Sequence, residues 1–174
     1  LADRPVFGEG YVSGGSDSSA VFRISWDFDN LYVGAIVFDS SLAQGSTGAS
    51  LWQGDSLEVF IDSDVTGDFD VDAMTEDDIQ LGISPGDLLN DGQPEAWVWA
   101  PEDVEGAVAE AEIAAVLAED GWAIEAAIPW AALGFTPTSG QHVGFLFSVS
   151  DNDNRGMNAQ QSVVSYAPQR ALYD

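Results

Sequence analysis

Short runs of apolar and β-branched residues alternate along the chain with clusters of Gly, Asp, Asn and Ser. That spacing is the pattern of strands joined by turns. Ala20–Trp26 reads as one strand and Leu31–Phe38 as the next, and the polar segment Asp27-Phe28-Asp29-Asn30 between them predicts a hairpin. Ser56–Ile61 is a third strand, Ile79–Ser84 and Ala96–Ala100 are shorter ones, and Trp122–Ile128 and Val143–Val149 are strongly marked. Ser162–Tyr166 predicts a last strand. Loops rich in Gly, Ser and Asp cover 40–50, 63–78, 85–94 and 151–161. Many short strands with such punctuation predict an all-β, two-sheet antiparallel β-sandwich, jelly-roll or immunoglobulin-like.

Two segments break the pattern. Val104–Glu119 is rich in Ala and Glu, and its intrinsic propensity favours a helix. Pro129 to Gly134 reads as a single helical turn, opened by Pro and closed by Gly.

A length of 174 residues with 45% hydrophobic composition suits one domain with one core. No repeat divides it, and residues 1–174 are read as a single module cut from a larger protein. On that reading the export signal lies elsewhere in the parent chain. Charge narrows the partners. There are 30 acidic side chains against 4 basic ones, all Arg, for a net charge of -26. Arg4, Arg23, Arg155 and Arg170 cannot form a basic patch, so nucleic acid and anionic membrane surfaces are excluded as partners. Such a surface resists association, so a monomer suited to saline or divalent-rich surroundings is expected. The absence of Cys excludes a disulfide framework and thiol chemistry.

The candidate chemistry lies in acids and aromatics. In Asp62-Ser63-Asp64-Val65-Thr66-Gly67-Asp68-Phe69-Asp70-Val71-Asp72 the carboxylates of Asp62, Asp64, Asp68, Asp70 and Asp72 could converge on Ca²⁺. The EF-hand pattern fails, because Ala73 stands where the twelfth-position Glu belongs. A solvated acidic loop is the competing reading. Asp39, Asp151 and Asp153 are further loop carboxylates. His142 is the single His, so a catalytic triad has one possible base, and among so many acids no carboxylate pair singles itself out for glycoside hydrolysis. Trp26, Trp122 and Trp130 lie within or beside apolar strands and are expected in the core. Trp52 follows a Gly-rich loop and can stand at a sandwich rim. Trp97 and Trp99 alternate with Val98, so they share one strand face, either in the core or as a platform. Exposed rings suit the apolar faces of sugars.

The ordered segments Trp26-Asp27-(x3)-Leu31-Tyr32-Val33, Val37-Phe38-Asp39, Trp52-(x2)-Asp55-Ser56-Leu57-Glu58-Val59-Phe60-Ile61-Asp62, Asp77-Asp78-Ile79-Gln80 and Asp120-Gly121-Trp122-(x2)-Glu125-Ala126-Ala127-Ile128-Pro129-Trp130, with Val143-Gly144-Phe145 and Ser150-Asp151, resemble family 9 carbohydrate-binding modules and the wider DOMON-like sandwiches. The resemblance runs over roughly residues 20 to 166. It implies that Val108–Leu117 is a strand paired with Trp122–Ile128, not a helix. It implies a secreted or cell-surface module, attached to a catalytic domain in the same parent chain, that binds a plant or algal polysaccharide or oligosaccharide and carries structural Ca²⁺. Carried over by position, Trp52 and Tyr166 would be the two rings of a clamp, with Glu58 as a polar sugar contact; Trp97 and Trp99, read from their alternation, are further ligand-binding candidates. Three positions depart from the family: Gly82 replaces an Arg, Ser84 an Asn, and Ser150 an Asn. The family's N-terminal strand is missing or altered. Two other functions compete: a calcium-stabilised structural or adhesive module, and a haem-binding DOMON domain drawing axial ligands from His142, Met74 and Met157.

Overall fold

The computed structural model describes residues 1–67 and 73–167. Eleven strands form two antiparallel sheets. They are β1 (Arg4–Phe7), β2 (Ser18–Trp26), β3 (Asn30–Asp39), β4 (Ser56–Asp62), β5 (Asp78–Ser84), β6 (Glu95–Ala100), β7 (Gly106–Ala107), β8 (Glu112–Ala118), β9 (Gly121–Pro129), β10 (Gly144–Asp151) and β11 (Ser162–Ser165). The larger sheet has the order β1-β11-β10-β4-β5-β6-β7 and the smaller β2-β3-β9-β8.

Alternation decides what each strand buries. Leu57, Val59 and Ile61 of β4, Leu81 and Ile83 of β5, Val98 of β6 and Phe147 of β10 point inward. They meet Leu31, Val33 and Val37 of β3 and Trp122, Ile124 and Ile128 of β9 in one core. Burying side chains of this size stabilises the sandwich by roughly 1.5–3 kcal/mol each. Truncating the fully buried Phe147 to Ala would cost about 3–5 kcal/mol. Trp122 and Trp130 are in the core as expected. Trp130 opens a 3-10 turn, Trp130–Leu133, that begins after Pro129 and ends at Gly134 with φ 67.

The Ala/Glu segment holds a strand, as the resemblance implies, and two other expectations need correction. Glu112–Ala118 pairs with β9 along its length, although the strand starts later than expected. Cross-strand hydrogen bonds and the inward packing of Ile113 and Ala115 outweigh helix propensity there. An N-terminal strand exists, since Arg4–Phe7 pairs with β11. Trp26 is not in the core but 54% exposed. It faces the inner side opposite Leu31, yet β2 is an edge strand there, and Ile24 on the same face is exposed too.

Candidate functional site

The outward face of the larger sheet carries the polar residues that alternation leaves over. Register places Trp97 (β6), Gly82 (β5), Glu58 (β4), Ser148 (β10), Ser165 (β11) and Arg4 (β1) in one row across six strands. Glu58 is almost fully buried within it. Burial raises the Glu58 carboxyl to about 7, with Gln80 on the neighbouring strand offsetting part of that shift. The Gln160 side-chain amide lies over this spot, donating to Ser150 Oγ at 2.7 Å and to Glu58 Oε1 at 3.5 Å. A further hydrogen-bond donor beside Glu58 would favour its ionised form.

A 3-10 turn, Gly48–Gln53, packs on the same face and carries Trp52. Leu51 anchors it, being fully buried, while Trp52 remains 39% exposed. Gly48 N donates to both Glu95 carboxylate oxygens at 3.1 Å, Trp99 Nε1 donates to Ala49 O at 2.9 Å, and Ser150 Oγ donates to Trp52 O at 2.7 Å. The ring of Trp97 lies beside Gly48, and that of Trp99 lies directly over Gly82. Trp97 and Trp99 thus share the outward face, as their spacing predicts, and support the turn that presents Trp52. Asp55, the Asp of the Trp52-x-x-Asp55 motif, is buried and accepts from Ala43 N and from Asn152 N at 2.9 Å, which ties the approach to the turn onto the end of β10.

The positions that depart from the family serve this packing. Gly82 has no side chain to collide with Trp99, Ser84 Oγ accepts from Gly86 N at 3.1 Å, and Ser150 holds the turn.

Tyr166 does not join the group. It follows the outward-facing Ser165 and so turns inward, where its ring packs on Phe22 with centroids 5.7 Å apart and its hydroxyl donates to Phe145 O. Phe22 in turn stacks on the buried Phe147. The sheet itself stands between Tyr166 and the face that carries Glu58, so the structure brings Trp52, Glu58, Trp97 and Trp99 together and leaves Tyr166 out. Gln80, which the sequence offers only as part of the Asp77-Asp78-Ile79-Gln80 motif, and Gln160 also border Glu58. Gln160 gives no signal in the sequence, because it lies in a long loop and reaches the site only through the fold.

The acidic loop 62–72 gives a partial picture. Asp68, Asp70 and Asp72 lie outside the described residues. Asp62 and Asp64 engage the turn, with Asp64 N donating to Asp62 Oδ1 at 3.0 Å and to Asp77 Oδ2 at 2.8 Å. Among the described residues a group of three acids forms elsewhere. Asp39 at the end of β3, Asp151 at the end of β10 and Asp153 just beyond each offer an oxygen, all within 4.8 Å of one another. Asp39 Oδ2 and Asp153 Oδ1 are buried without a hydrogen-bond partner. Desolvation, with Asp153 and Asp17 adding repulsion, raises Asp39 to about 6, and desolvation raises Asp151 to about 7 against the bond from Ser162. Buried like charges with unused oxygens fit a hard cation that takes oxygen donors only.

Of the other candidates, His142 is exposed and Met74 and Met157 lie in loops, so none stands on a strand where two could face each other. Two shallow clefts of about 690 and 570 Å³ lie on the outward face of the smaller sheet, around Arg23, Gly34 and Glu125. They contain no Trp and no network like that around Glu58.

A family model described as Carbohydrate family 9 binding domain-like matches residues 3–173. The endo-1,4-beta-xylanase A of Thermotoga neapolitana is 30% identical over 153 residues, which is 87% of this chain and 12% of that enzyme. The exoglucanase XynX of Acetivibrio thermocellus is 29% identical over 148 residues, 84% of this chain and 12% of that one. The chain thus spans about an eighth of the length of the curated relatives it matches. A family 9 carbohydrate binding module from Caldicellulosiruptor kristjanssonii, solved with glucose, superposes with a TM-score of 0.63 at 23% identity, over 90% of this chain and 71% of that one. A second structure from that organism, solved with cellotriose, gives 0.63 at 21%, over 97% and 80%. The match across nearly the whole length means that the chain belongs to the carbohydrate family 9 binding domain-like family and is a non-catalytic carbohydrate-binding module.

Proposed function

We propose that the outward face of the larger sheet, around Trp52 and Glu58, binds an oligosaccharide or polysaccharide of plant or algal origin. The observation that carries this reading is the exposed Trp52 ring on a turn tied down beside a buried carboxyl and two glutamine amides. An indole face takes the apolar C–H face of a pyranose, while Glu58, Gln80 and Gln160 offer donors and acceptors to its hydroxyls. Trp97 and Trp99 act mainly by holding the turn. Since Tyr166 lies on the other side of the sheet, this reading has one exposed ring, supported from below, in place of a two-ring clamp. The xylanase and exoglucanase relatives support a role as an accessory module beside a catalytic domain of the same parent chain, acting outside the cell on material too large to enter it.

Structural Ca²⁺ belongs to the same proposal. Asp39, Asp151 and Asp153 would hold it and so join the end of β3 in the smaller sheet to the end of β10 in the larger one. The ion would neutralise their mutual repulsion and hold the loops on which Trp52 depends.

Calorimetry against soluble xylan, β-glucan, mannan and pectin, with Ca²⁺ and again with EDTA, tests both parts. Binding of one glycan class, lost in Trp52→Ala, is expected. Retention of full affinity by Trp52→Ala would overturn the site, and absence of binding by the folded protein would favour a calcium-stabilised adhesive module.

A further inference from the structure

We infer a second sugar-binding site at the opposite end of the sandwich, on the turn between β2 and β3. Trp26 and Phe28 are 54% and 73% exposed there. Their rings meet at 87° with centroids 6.5 Å apart, as the floor and wall of a right-angled corner.

The turn is unusually well tied for one so exposed. Asp27 Oδ1 accepts from Asp29 N at 2.8 Å and Asn30 N at 2.7 Å, and Asp27 Oδ2 accepts from Tyr32 Oη at 2.8 Å. The buried Trp130 anchors it from below, its Nε1 donating to Asp27 O and its backbone N to Asp29 O, both at 3.0 Å. These bonds fix the backbone of the turn that carries the two exposed rings. Fixing that backbone in advance removes an ordering cost that would otherwise weaken binding.

The corner suits a neutral pyranose. One ring face takes the sugar's C–H face and the other its edge. The Trp26 indole N–H bonds to no described residue and is free to donate to a hydroxyl, while the exposed Asp29 carboxylate can accept one. The carboxylates of Asp27 and Asp29, in a chain of net charge -26, disfavour uronic acids and acidic proteins.

Position sets the consequence. Trp52 stands near the Asp39 end of β3, beside Ser150 and Asp151, whereas the corner adjoins Asn30 at the other end. At about 3.3 Å per residue the two sites are roughly 30 Å apart. They lie at opposite ends of the sandwich, so the module has two places at which to engage glycan.

The six Trp indole N–H signals in a ¹H–¹⁵N spectrum of the whole chain read both sites at once. Cellohexaose and xylohexaose are the neutral probes and hexagalacturonate the acidic one. The Trp26 signal, assigned by its loss in Trp26→Ala, is expected to move with a neutral probe, with its own saturation curve, and not with the acidic one. Phe28→Ala should weaken that curve by roughly tenfold and leave the Trp52 curve unchanged. Movement of Trp52 alone overturns the second site while sparing the first. Movement of Trp26 alone does the reverse, and movement of neither overturns both.

Discussion

The indole of Trp99 covers Gly82 so closely that a Cβ built on Gly82 would stand 2.6 Å from Trp99 Cζ3 and 2.7 Å from Leu51 Cδ1. Two strands and the Trp52 turn are therefore packed through one missing side chain. Gly82→Ala is expected to destabilise the fold by about 1–3 kcal/mol, as overpacking does. In the double variant Gly82→Ala/Trp99→Ala much of the added cost should vanish, since the clash loses one partner. Denaturant melts of the four species measure the coupling, and strictly additive losses would contradict it.

Glu58 makes stability depend on pH in a predictable direction. Its folded value is raised from 4.5 to about 7 by desolvation. Between those values the folded chain keeps a proton that the unfolded chain has lost, so this group's contribution falls as pH rises. Glu58→Gln should match the parent near pH 4 and be more stable at pH 8, by up to roughly 3 kcal/mol. Unfolding curves at the two pH values decide it. An equal difference at both would show that folding does not raise the Glu58 carboxyl.

Tyr166 and Trp52 should separate binding from stability. Tyr166→Ala removes a ring packed on Phe22 and should cost about 1–2 kcal/mol of stability, with glycan affinity unchanged. Trp52→Ala should show the opposite pattern. Parallel melts and calorimetry test the pair, and a loss of affinity in Tyr166→Ala would return that residue to the site.

Calcium should stabilise the fold through Asp39, Asp151 and Asp153. At a hundredfold excess over its dissociation constant the gain is about 2.7 kcal/mol, or roughly 5–10 °C in melting temperature for a domain of this size. Asp151→Asn should lose most of that response. If the variant keeps the full Ca²⁺ shift, the stabilising ion sits elsewhere, with the 62–72 loop the next candidate.

Much of this molecule can be read from one sequence, because strands announce themselves locally. The runs Leu31–Phe38 and Trp122–Ile128 alternate apolar and small or polar residues, and only a sheet with one face buried satisfies that spacing. Pro129 and Gly134 likewise delimit their turn by backbone geometry alone. That Trp97 and Trp99 share one strand face was legible for the same reason, but not whether that face is buried or outward. Three-dimensional packing decided the rest. Glu112–Ala118 is a strand because β9 offers it hydrogen bonds, which no propensity records and which only the family resemblance implied. Trp26 stayed in water because no strand of the larger sheet covers that edge, and Tyr166 turned inward because Ser165 before it faces out. Asp39 and Asp151, far apart in the chain, became neighbours only when β3 and β10 ended at the same corner of the sandwich. Sequence alone determined which residues alternate and where the chain turns, since those depend on nearest neighbours. Which faces are covered, and which distant carboxylates and rings meet, depends on how the sheets stack.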